Sequence, residues 1–260
     1  PKNRNIRVGA VVISYGAADR EFYYENKYYK VPYGTAHFLE HQMFEQPEGN
    51  IMERFAELGA EANAFTDSGK TVYYFKTENF IENFRALLDF VETPYFEKTS
   101  VENEKSIIKN EIAMYDDEAE WKTFFTALKN LWPESPMAQE IAGSAESVEK
   151  INADILYACH KAFYTPENMT IICGGDVCAD EIMTEADKIL GGATVQTAKT
   201  AYMDTEPVGG FTEINMDIKV PRFSLVYPIN INGNRTENIF SLKLASEAGY
   251  PSGRFRYLSD

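Results

Sequence analysis

Two of the chain's three histidines fall in one five-residue stretch, His37-Phe38-Leu39-Glu40-His41. On a helix, positions i and i+4 share a face and i+3 lies beside them, so both imidazoles and the Glu40 carboxylate can reach one point. Two neutral imidazoles and an adjacent carboxylate are the parts of a hydrolytic zinc site. A catalytic zinc takes three protein ligands and keeps one position open for water, so a third ligand has to come from elsewhere. The segment 100–115 offers it. Glu104 and Glu111 are seven residues apart, two helical turns, and stack on one face with Ile107 and Ile108 between them and Ile112 after. Carboxylates lined up with isoleucines are costly to bury unless a cation or strong donors neutralise them. A metal meets that cost at Glu111, and Glu104 can then orient a histidine or the bound water from one step further out. Taken alone, both motifs also fit the solvated face of an acidic helix, and Glu102, Lys105 and Lys109 read as such a wet side.

The elements around these residues follow from periodicity. Residues 6–15 are rich in β-branched residues and end at Gly16, a largely buried strand; 20–33 carry five tyrosines and read as a loop or short strand. Helical spacing runs from Gly34 to Glu45. Asn50 and Glu53 form a capping signature for a helix bearing Ile51, Phe55 and Leu58. Residues 61–66 and 71–77 form two strands joined by Asp67-Ser68-Gly69-Lys70. Asn79 caps a helix that stops before Pro94, and Thr99 with Glu102 opens another that reaches Tyr115 or beyond. Helices are expected at 120–131, 147–162 and 180–189, with a strand at 169–174. A linker is expected around 191–210, then strands at 213–219 and Phe223 to Ile229 and a helix at 236–248. Strand pairs interleaved with helix pairs indicate an α+β fold, a mostly antiparallel sheet with helices packed on one face. The division expected is 1–205 for the first domain and 206–260 for the partial start of a second, homologous one.

The formal charge of −15 over 260 residues counts against a phosphate-tracking nucleic-acid binder or an anionic-membrane binder, and no apolar run reaches membrane-spanning length. Nucleic acid and membrane are therefore not expected partners. The excess of negative charge suits basic or extended peptides. Cys159, Cys173 and Cys178 form no C-x-x-C pair and read as buried thiols of a reducing, cytoplasmic compartment. The start at Pro1 without Met and the abrupt end at Asp260 read as a fragment of something longer. His160 reads as a plain surface or packed histidine, the tyrosines at 23–33 as aromatic edge packing. Gly174-Gly175-Asp176 lacks the spacing of a phosphate loop.

Gly34-Thr35-Ala36-His37-Phe38-Leu39-Glu40-His41, with Met43-Phe44-Glu45 after it, closely resembles the signature of the pitrilysin/insulinase family of zinc peptidases, the inverzincins with H-x-x-E-H. The likeness continues through Gly59, Asn63-Ala64-Phe65-Thr66 and Thr71-Val72-Tyr73-Tyr74, a strand pair beside the active site. It then takes in Glu104 to Glu111 as an E-x6-E helix, Tyr164 to Met169 and Gly174-Gly175-Asp176-Val177. It covers roughly residues 5–190 well and 205–260 more weakly, and is most similar to the bacterial processing-protease-like members.

The resemblance implies a metallohydrolase fold of the LuxS/mitochondrial-processing-peptidase type. It also implies one Zn2+ per chain held by His37, His41 and Glu111, with Glu40 as general base and Glu104 in support. A peptide or unfolded polypeptide would add as a strand along Asn63, Ala64 and Phe65, where Asn63 bonds substrate or simply holds the edge. The 70 residues from His41 to Glu111 are fewer than in the mitochondrial processing enzymes, as a shortened loop would explain. The family closes substrate between two homologous halves, so the C-terminal half, a second copy or a paralogous subunit are expected partners, and this chain alone is expected to be inactive even with an intact metal site. The competing expectation is a non-catalytic partner or scaffold subunit of the same fold. Such members typically lose motif residues, and His37, Glu40, His41, Glu104 and Glu111 are all present here. A small-molecule metallohydrolase would use the same ligands.

Overall fold

A computed structural model describes residues 6–191, 197–201 and 206–226. The described residues up to Ser224 belong to one compact unit; of the second unit, Leu225–Asp260, only Leu225 and Val226 are described.

Strand β1 (Arg7–Ile13) is followed by a hairpin of β2 (Glu21–Tyr24) and β3 (Lys27–Lys30). Its two turn residues, Glu25 and Asn26, both have positive φ (49° and 61°), the backbone a two-residue hairpin needs. The region read as a loop or short strand is thus a strand pair, closed by residues other than the usual glycine. Helix α1 (Thr35–Met43) comes next, then the short strands β4 (Glu45–Gln46) and β5 (Gly49–Asn50) and helix α2 (Ile51–Glu57), capped by Asn50 Oδ1 on the Met52 N–H at 2.9 Å. Strands β6 (Ala60–Thr66) and β7 (Thr71–Thr77) form the expected hairpin, closed by the Asp67 N–H on the Lys70 carbonyl at 2.9 Å.

Helices α3 (Phe80–Glu92), α4 (Lys98–Asp116) and α5 (Ala119–Leu131) follow. Two expected caps differ from those found. The Asn79 side chain does not cap α3; its own N–H donates to Thr77 Oγ1 at 3.0 Å. Helix α4 begins at Lys98 with Glu97 at the cap, so Thr99 already lies inside it. The helix expected over 147–162 is two, α6 (Ala145–Val148) and α7 (Ala153–Phe163), because Asn152 Oδ1 takes the Ile155 N–H at 3.0 Å and starts a fresh helix. Strand β8 (Met169–Gly174), helix α8 (Ala179–Leu190) and strand β9 (Lys199–Thr200) complete the order.

The main sheet runs β6-β7-β1-β8 with every neighbouring pair antiparallel; β3-β2-β9 form a second sheet. Helices α1 and α3 pack on the main sheet. The core lies in that layer, where Val11, Ile13, Tyr73 and Phe75 meet Phe38, Leu39, Phe84 and Leu88, all almost fully buried. The α+β architecture read from the pattern is the one observed. The expected linker is not bare, since β9 within it pairs with β2. No strand forms over 213–219 or 223–226; Val208 N–H instead donates to the Leu131 carbonyl at 2.8 Å and Thr212 Oγ1 to Asn130 at 2.9 Å, beside α5. The readings at 227–229 and 236–248 lie outside the described residues. No described helix is long and apolar enough to cross a membrane.

Candidate metal centre

Helix α1 is buried on nearly every side; only His41 is half-exposed. Its start is set by Gly34, whose φ of +85° leads the chain in, and a Cβ there would lie 2.2 Å from the Ala142 carbonyl oxygen. Glycine alone lets that loop seat against the helix. A helix this deep cannot leave its polar side chains to water, and most of them find partners. Gln42 Nε2 donates to Ser100 Oγ of α4 at 2.8 Å. Thr66 Oγ1 donates to Glu40 Oε2 at 2.7 Å. His41 Nδ1 lies 2.9 Å from Glu104 Oε1, which sets the tautomer: Nδ1–H donates to the carboxylate and Nε2 keeps its lone pair.

That lone pair faces Glu111. His41 Nε2 lies 3.5 Å from Glu111 Oε2, and His37 Nε2 lies 3.6 Å from Glu111 Oε1. One ligand atom from each of His37, His41 and Glu111 falls within 4.8 Å of the other two. Atoms about 2.0–2.1 Å from a tetrahedral zinc stand about 3.4 Å apart. Each imidazole therefore sits near coordination spacing from one oxygen of Glu111, too far for a good hydrogen bond, and the three side chains together fit a divalent ion. The two imidazole rings pack at a centroid separation of 4.5 Å and an angle of 51°. His37 Nδ1 is buried without a protein partner, so packing rather than a second hydrogen bond holds that ring.

The electrostatics match. Burial disfavours a charged His41, but its bond to Glu104 and the carboxylates of Glu40, Glu104 and Glu111 outweigh that and raise its pKa above the usual 6.5. The imidazole of His37 facing Glu111 holds that carboxyl below its ordinary range, against the opposite pull of partial burial. Three carboxylates around two imidazoles make a pocket of negative charge that a dication neutralises.

The structure brings together His37, Glu40, His41, Glu104 and Glu111 from α1 and α4. On α4 the sequence reading erred in two places. Ile107 is exposed rather than between the glutamates, while Ile108 and Ile112 are buried; and Lys105, read as wet, is buried with its ammonium on Glu102 Oε1 at 2.7 Å and the Glu149 carbonyl at 3.2 Å. Asn63, Ala64 and Phe65 lie on the edge strand β6, with Asn63 and Phe65 exposed and Ala64 half-buried. They are tied to the site through Thr66, the last residue of that strand. Sequence reasoning placed Thr66 in the strand beside the site but gave it no contact with Glu40. The available signal was the two-residue period of β6, which turns Thr66 to the same face as Ala62 and Ala64, toward α1. Tyr115 was missed too: one turn beyond Glu111, its phenol is raised in pKa by burial and then by that carboxylate, and its ring stacks on Trp121 at 4.6 Å.

His160 is packed, with Nε2 on the Val91 carbonyl at 2.9 Å. Of the cysteines only Cys159 is buried, which pushes its thiol up to about 12; Cys173 is half-buried and Cys178 exposed, so the reading of three buried thiols holds for one.

A family model described as insulinase (peptidase family M16) matches residues 10–145, and one described as peptidase M16 inactive domain matches residues 150–248. The chain is 40% identical over 187 residues to a protein of Bacillus subtilis (strain 168) named "Uncharacterized zinc protease YmfH", covering 71% of this chain and 44% of that one. Among solved structures it is similar to an M16-like protein from Alicyclobacillus acidocaldarius, with a TM-score of 0.74, 33% identity and coverage of 79% of this chain and 50% of that one. It shares its fold with the first half of the periplasmic protease PqqL from Escherichia coli at a TM-score of 0.61 and 23% identity, covering 78% of this chain and 44% of that one. The chain thus spans about half the length of the relatives it matches.

Proposed function

The chain belongs to the insulinase family of peptidases, M16, and from that premise we propose that it carries the metal centre of a zinc-dependent endopeptidase acting on peptides or unfolded segments. One observation carries the reading: His37, His41 and Glu111 present ligand atoms at 3.5 and 3.6 Å spacing, with Glu40 on the same helix as both histidines. What one zinc held by those three residues supplies when bound is polarisation of a scissile carbonyl and acidification of a water. Glu40 accepts a proton from the attacking water as its oxygen adds to the carbonyl carbon. As the C–N bond breaks, the same carboxyl returns the proton to the leaving nitrogen. Glu104 orients His41. The edge of β6 at Asn63, Ala64 and Phe65 receives an extended peptide as an added strand, where backbone bonds tolerate many sequences.

Residues 206–260 open a second homologous domain, and the remaining half, contributed by the same protein, a second copy or a paralogous subunit, completes the substrate enclosure. The three unpaired cysteines support a reducing, cytoplasmic setting. The match of residues 150–248 to a domain described as inactive also allows a second reading, a non-catalytic partner of the same fold, although the candidate ligands lie in the stretch 10–145 matched by the peptidase model.

Peptidase assay of the full-length protein separates the two. The enzyme is expected to bind one zinc, to lose activity with chelator and regain it with zinc. Glu40→Gln should keep the zinc and lose about 10²- to 10⁴-fold in turnover. Zinc-loaded protein that cleaves nothing, alone or with a paralogue, identifies the scaffold.

A further inference from the structure

We propose that Thr66 is a positioning residue for Glu40: its hydroxyl pins one carboxylate oxygen and leaves the other to carry the proton. What Glu40 does rests on the peptidase reading above; where Thr66 holds it does not.

Thr66 ends β6 at the hairpin, directly opposite Thr71 of β7. A threonine hydroxyl has a single proton to give. Two acceptors compete for that of Thr66: Glu40 Oε2 at 2.7 Å and Thr71 Oγ1 at 3.3 Å. Thr71, fully buried, commits its own proton to the Tyr15 carbonyl at 2.9 Å. The buried carboxylate is the closer acceptor and the charged one, so it takes the Thr66 proton. Donor and acceptor are both held. Thr66 is β-branched on a paired strand, which restricts its χ1, and Glu40 is 7% exposed on a buried helix.

An oxygen already accepting such a bond is the weaker base. Glu40 Oε1 is therefore the atom that gains and returns the proton, and the orientation of the carboxylate is set from the sheet rather than from α1. Without the hydroxyl, a side chain with three rotatable bonds loses its anchor and spends less time aligned. The loss falls on the chemical step and not on substrate affinity.

The test compares Thr66→Val, which keeps the shape without the hydroxyl, with Thr66→Ser, which keeps the hydroxyl, in the full-length, zinc-loaded protein. For Thr66→Val, kcat is expected to fall about 10- to 100-fold, the scale of a roughly 1 Å misplacement of a reacting group, with KM and zinc content unchanged. Thr66→Ser should restore kcat close to the parent value. A crystal structure of Thr66→Val should show the Glu40 carboxylate displaced or in several conformers. Parent-like kcat in Thr66→Val, a Thr66→Ser variant as slow as Thr66→Val, or an unmoved Glu40 overturns the proposal. If Thr66→Val does not fold, Thr66→Ala takes its place with the same readings. Parent protein that binds zinc and cleaves no peptide sinks the peptidase reading, and the position of Glu40 in the variant still decides the role of Thr66.

Discussion

Glu104 meets His41 at Nδ1, on the side of the ring away from Glu111, so its contribution is to the donor quality of Nε2. Replacing Glu104 by Ala should weaken zinc binding about 10- to 100-fold, as loss of a carboxylate behind a ligating imidazole does, and competition with a chromophoric chelator would measure it. Zinc affinity equal to the parent's would remove Glu104 from the site. A second residue-scale prediction concerns the remaining histidine. Burial lowers the pKa of His160 from 6.5 to about 4, against the opposing bond to the Val91 carbonyl. The unfolded chain therefore binds a proton between these values that the folded chain refuses, and stability rises with pH across that window. The contribution is fully present above about pH 6.5 and is lost as pH falls toward 4, reaching a cost of about 2 kcal/mol at pH 5. His160→Gln should flatten that part of the pH dependence in urea unfolding; an unchanged slope between pH 7 and 5 refutes it. The candidate ligands were legible because helical spacing puts His37 with His41, and Glu104 with Glu111, on one face each; that the two faces meet was not readable from spacing. The role of Thr66 was not legible, because its partner Glu40 lies on another element, 26 residues away in sequence.

At the scale of elements, the centre depends on α1 and α4 keeping register. Gln42 of α1 is fully buried and reaches Ser100 near the start of α4, while His41 reaches Glu104 one turn on. Where α1 begins is fixed by Gly34. Gly34→Ala meets both a φ of +85° and the Ala142 carbonyl oxygen, and should destabilise by more than about 1 kcal/mol in denaturant unfolding. A variant as stable as the parent would show that the 140–143 loop yields freely. The elements with local signals were readable, such as the hairpin at Asp67 to Lys70 or the cap at Asn50. The β2–β3 hairpin hid because Glu25 and Asn26 take positive φ without glycine. The break before α7 hid because a single asparagine makes it, and β9 because its pairing with β2 bridges most of the chain.

At the scale of the molecule, the four-stranded sheet has two ends, and β6, the one tied to the candidate metal centre through Thr66, is the more telling. Counting back from the closing bond at Asp67, every second residue of β6 turns its N–H to the open side, Ala64 among them. That N–H is not bare: Asn63 Oδ1 folds over it at 2.8 Å. An uncovered row of amides and carbonyls is equally an invitation to the next molecule of the same protein, which would pair and keep pairing. The asparagine works as a stopper in one socket of that row, and any newcomer must expel it first. Chance neighbours in a crowded solution are turned away by so small a toll, whereas a strand that brings further contacts of its own gets through.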